Sequence, residues 1–91
     1  MNKKMYTVYD LKAQVHNNPM VQNNHAEAMR TFAQLSTDPK VSVSHHPEDY
    51  QLCCVGEYDE YTGKIIGYGS IEILAKAVDF VEKKVNQELI G

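Results

Sequence analysis

The chain has 91 residues, 43% of them hydrophobic and 23% charged, with a formal charge of −3 at neutral pH. One domain with a single modest core is what such a length builds, because a chain of this size buries roughly 60–65% of its unfolded surface. No apolar run approaches the ~20 residues that cross a bilayer, no apolar stretch follows the first lysines as a signal peptide would require, and an acidic balance gives generic nucleic-acid affinity no support.

At the N-terminus, MYTVYD alternates Met5, Thr7 and Tyr9 against Tyr6, Val8 and Asp10. Its β-branched and aromatic content predicts a strand. LKAQVHNNP reads as a connection with some extended character, and MVQ after Pro19 as a second short strand. Asn24 then caps a helix, with Glu27 three positions on as in a capping box. Ala28, Met29, Phe32, Ala33 and Leu35 form one apolar face of an amphipathic helix, which Asp38-Pro39 ends. KVSVSHH reads as a polar connection with a hint of extended alternation.

Residues 44 to 63, SHHPEDYQLCCVGEYDEYTG, hold adjacent histidines, adjacent cysteines and five carboxylates. HPED starts a turn, YQLCCVGEY is a β-rich run apolar on both faces, and DEYTG with Gly63 turns the chain into KIIGY as an antiparallel partner. In the C-terminal segment, Ser70 is placed to cap a helix over 70–90, along which Ile71, Leu74, Val78, Val81, Val85 and Leu89 step by 3, 4, 3, 4 and 4. The fold expected is α+β: one domain over 1–91, a small antiparallel sheet of three to four strands and two helices, in the order β-(β)-α-β-β-α.

A metal centre drawn from His45, His46, Asp49 and a cysteine lacks CxxC, HxxxH or HExxH spacing, and adjacent cysteines on a strand diverge. Cys53 or Cys54 as a nucleophile would need a histidine and an oxyanion hole that nothing marks. No cofactor and no enzyme activity are therefore expected. Glu48, Asp49, Glu57, Asp59 and Glu60 lack calcium-loop spacing and suit turn chemistry and solubility. Tyr6, Tyr9, Tyr50 and Tyr58 fall on predicted strands, where such rings either pack against the sheet or stack on unpaired bases.

Three blocks, VYDLKA at 8–13, AMRTFAQLSTDP at 28–39 and HPEDYQLCCVGEYDEYTGKI at 46–65, together resemble the small non-structural protein of gokushoviruses and related microviruses, which are single-stranded-DNA phages. That resemblance implies an early, non-virion protein of the infected bacterial cytoplasm that binds DNA during the switch to single-stranded genome synthesis. Within the matching motifs, Lys12, Arg30 and His46 are not needed for folding, so a nucleic-acid surface is expected there together with exposed rings such as Tyr9 and Tyr58. Two functions stay open. One is single-stranded DNA binding, as a homodimer joined through the C-terminal helix; the other is a dimeric module that acts on a host or phage replication protein without touching DNA.

Overall fold

Two long strands, paired along their whole length, form the centre of the sheet. In the computed structural model, which describes residues 2–81, β1 (Asn2–Asp10) lies antiparallel to the later of them along its whole length, from Asn2 opposite Asp59 to Asp10 opposite Tyr50. The first connection returns as β2 (Val15–His16) and β3 (Met20–Gln22), which pair with opposite ends of the same edge of β1. Then come α1 (His25–Thr37), the short α2 (Ser42–His45), a single 3-10 turn at Pro47–Asp49, β4 (Tyr50–Asp59) and β5 (Ile65–Lys76). Residues 77–81 are helical and are called α3. The sheet order is β2-β1-β4-β5, with β3 also on β1.

Directly opposed residues of an antiparallel pair share a face, and neighbours along a strand do not. Tyr6 and Val8 on β1 therefore point the same way as Cys54 and Leu52 on β4. These four join Ala28 and Phe32 of α1, Val43 of α2 and Ala77 of α3 in one buried cluster. All three helices thus cover one face of the sheet. Burying each large apolar side chain there contributes on the order of 1.5–3 kcal/mol. Phe32, fully buried, meets Phe80 edge to face with ring centroids 5.9 Å apart.

Sequence and structure agree closely on α1. Asn24 accepts a hydrogen bond from the Glu27 amide, and the Glu27 carboxylate returns to the Asn23 amide and side chain. This reciprocal cap satisfies amides that the first helical turn leaves without partners. Asp38 terminates the helix with extended backbone, as expected of a residue before proline. MVQ is β3, and YQLCCVGEY pairs with KIIGY. The turn between them closes through Gly63 N–H to Asp59 O, with Gly63 at φ 78°.

Two expectations fail. KVSVSHH is not extended: Val43 is drawn into the core and winds 42–45 into the single turn of α2. The helix expected from Ser70 does not begin there, since 70–76 belong to β5, with Ile73 opposite Cys53 and Ala75 opposite Leu52. Ile71 and Ile73 are β-branched at period two, and pairing along β4 outweighs the helical spacing of Ile71 and Leu74. The helical stretch starts only at Ala77, which is fully buried. Val85, Leu89 and the remainder of the expected helix lie outside the described residues. The fold is the α+β one expected, a small antiparallel sheet with helices, and its described elements run β-β-β-α-α-β-β-α, five strands rather than three to four.

Candidate nucleic-acid interface

With the helices on one face, no helix of the described residues lies on the other, where Thr7 and Cys53 are nonetheless buried among neighbouring side chains. Alternation puts Lys3, Met5, Thr7 and Tyr9 of β1 on it, and opposed pairing adds Tyr58, Cys53 and Gln51 of β4. From β5 it receives Ile65, Ile73 and Lys76, the partners of Tyr58, Cys53 and Gln51. His16 arrives on β2 opposite Tyr9. Its imidazole lies against the Tyr9 ring with centroids 4.5 Å apart, and its Nδ1 is 2.6 Å from Thr7 Oγ1. That hydrogen bond fixes the ring plane. An open depression of about 170 Å³ lies between Tyr9, His16, Gln51, Cys53, Ile71 and Ile73, toward the Lys76 end of the face.

Charge is sorted between the two faces. None of the strand residues just assigned to the open face is a carboxylate, and its two ends carry Lys3 and Lys76. Glu60, in the turn, pairs with Lys3 at 3.3 Å. The covered face takes the acids: Glu57 accepts from Asn2 and Tyr68 and lies 3.8 Å from Lys4, while Glu72 lies 3.3 Å from His25. The hydrogen bond from Asn2, then that from Tyr68, holds the Glu57 carboxyl below the usual carboxylate range. A net acidic chain can therefore present a face that is not acidic.

Burial pushes the Cys53 and Cys54 thiols up from their ordinary value, so both stay protonated at neutral pH. They are 2% and 1% exposed and act as packing residues, one toward each face. Burial likewise pushes the Tyr6 hydroxyl up to about 12, and its oxygen sits 2.7 Å from His25 Nδ1.

A second feature lies where the first and third sequence blocks meet. Asp10, Lys12 and Ala13 line a cleft of about 400 Å³ with His46, Asp49 and Tyr50. Asp10 Oδ1 accepts from the Lys12 and Ala13 amides, which folds the DLKA loop into an Asx turn. The Leu11 amide donates to Asp49 O at 2.8 Å and ties that loop to the HPED turn. His46, Glu48 and Asp49 have potential ligand atoms within 4.8 Å of one another. Exposed acidic groups are common on turns without an ion, and either cysteine that could join these histidines is buried in β4.

The five residues expected to contact nucleic acid are thus divided. Tyr9 and Tyr58 share the open face, Lys12 and His46 share the cleft at the sheet's end, and Arg30 is exposed on α1, on the covered side. Among the described residues no single basic face unites Lys12 and Arg30 with the rings. The open face also holds Lys3, His16 and Lys76, which the sequence reading does not single out. The alternation of LKAQVH against VYD was the available sign that a hairpin would seat His16 on Tyr9.

A family model described as Phage ORF5 protein matches residues 3–80. The chain belongs to that phage protein family. The match runs from β1 into α3, so it takes in every strand, the open face and the cleft. Comparison with curated proteins and with solved structures gives no match. No helix of the described residues is long and apolar enough to cross a membrane.

Proposed function

We propose that this member of the Phage ORF5 family is a non-structural accessory protein of phage genome replication that binds single-stranded DNA on the open face of its sheet. The blocks that resemble the gokushovirus non-structural protein suggest that setting. The observation that carries the reading is the face itself, where Tyr9, His16 and Tyr58 lie among strand residues without a carboxylate, between Lys3 and Lys76. Every base has a π-face, so rings on a sheet bind single strands with little regard to sequence, each stacked base contributing about 1–3 kcal/mol. Duplex DNA keeps its bases inside and offers these rings nothing to stack on. Few phosphates are neutralised by two lysines, so the salt dependence is shallow for a DNA-binding protein. Titrating labelled single-stranded and duplex oligonucleotides at low and moderate salt tests this: the expected outcome is preference for the single strand with a log–log salt slope of roughly −1 to −2. Equal binding of both forms, or none at micromolar protein, contradicts it.

A second reading, as a module acting on a host or phage replication protein, is favoured by the mixed-charge cleft around Asp10, Lys12, His46 and Asp49. Alternating charges repel a run of phosphates and suit polar side chains of a protein. Retained binding to such a partner after Lys12→Ala would contradict this alternative.

A further inference from the structure

We infer that two copies of this chain pair antiparallel along β5, about a two-fold axis at Tyr68. Among the described residues the strand is a free edge of the sheet, twelve residues long, and it carries the large apolar side chains Ile65, Ile66, Ile71 and Ile73 at 65%, 49%, 49% and 58% exposure. It contains no proline, and its only charges are Glu72 and Lys76. A long apolar edge of this kind is a template for another strand unless something protects it. β4 engages the two ends of this strand more closely than its middle, since Cys54 pairs with Glu72 and Gly56 with Gly67 and residues 68–71 bulge opposite Val55 alone, a local irregularity of the kind that guards an edge.

The second copy is singled out as the occupant by the order of side chains along the edge. Pairing about Tyr68 sets residue i opposite residue 136 − i of the partner, and both members of each pair fall on the same face. Carried one residue past the start of β5, the same register sets Lys64 opposite the partner's Glu72, and by symmetry this ion pair forms twice. Ile65 faces the partner's Ile71 on the open side. Gly67 faces the partner's Gly69, and a methyl group at either glycine would meet nothing within 4 Å, which leaves the backbones free to close at the centre. Shifting the register by two residues to an axis at Gly69 would put Ile66 against the partner's Glu72 and separate the charges. Opposed side chains in a ladder have Cβ atoms only about 4.5–5.5 Å apart, within reach of a direct Lys–Glu contact. The pairing would join the two open faces into one surface, but it stands independently of DNA binding.

A charge exchange tests the register. Sedimentation equilibrium at tens of micromolar should give the intact chain twice its 10.3 kDa mass. Lys64→Glu and Glu72→Lys should each raise the dimer dissociation constant by roughly tenfold, because each repels its counterpart twice. The double variant K64E/E72K should regain the dimer. Circular dichroism checks that each variant is folded; since Glu72 also meets His25, Lys64→Glu and its rescue decide the matter if Glu72→Lys unfolds. A monomeric intact chain overturns the proposal and leaves the edge to a strand of another protein. A dimer unaffected by Lys64→Glu, or a folded double variant that stays monomeric, overturns it as well.

Discussion

At Gly56 the backbones of β4 and β5 approach so closely that an added methyl group would overlap the Ile66 carbonyl oxygen. The obstacle is backbone and cannot rotate away. Gly56→Ala should therefore destabilise the fold by about 1–3 kcal/mol, as overpacking does, measured as a lowered urea midpoint at unchanged slope. The sequence block GEYD marks the position without giving this reason. Cys53 and Cys54 show the reverse, a pair that looks reactive in the sequence and is inert in the fold. With thiols buried and held protonated, neither should react with a disulfide reagent at pH 7 within the time that unfolded protein titrates fully. Rapid modification of one thiol in folded protein would contradict that assignment.

The β4–β5 hairpin has its own dependence on acidity. Asp59 is held below the carboxylate range chiefly by the Tyr61 amide, and Glu57 chiefly by Asn2. Both folded values are depressed, so both carboxylates contribute stability that is complete above their unfolded values and is lost as pH falls through the folded ones. Below roughly pH 4 the turn end of the hairpin should loosen before the core does, seen as faster amide exchange at 59–64 than at 52–54. Uniform exchange along both strands would contradict this. Legibility also differs between elements. α1 was readable because its cap, apolar face and terminator are all local, and the hairpin because its turn chemistry is local. Residues 70–76 were misread because Ile71 and Leu74 satisfy a helical period as well as a strand; only the presence of β4 alongside decides between them.

For the whole molecule, net charge misleads and distribution informs. The acidic total fits poorly with coating single strands, yet pairing register sends Glu57 and Glu72 to the side of the helices and leaves Tyr9, His16 and Tyr58 facing out among the strand residues. Tyr9 and Tyr58, two of the five residues expected to contact nucleic acid, share the open face, as strand alternation implies. Arg30 lies on α1 on the covered side, and nothing in the sequence says which face of the sheet a helix covers. Lys12 and His46 meet across 33 residues of intervening chain through the Leu11–Asp49 hydrogen bond, a tertiary contact. The most direct test of the central claim is fluorescence anisotropy with a labelled single-stranded oligonucleotide, comparing the intact chain with Tyr9→Ala, Tyr58→Ala and Arg30→Ala. Loss of one stacked base at about 1–3 kcal/mol predicts affinity lower by roughly 5- to 150-fold for each tyrosine variant, with Arg30→Ala unchanged. Undiminished binding by both tyrosine variants, or a loss confined to Arg30→Ala, would contradict an interface on the open face.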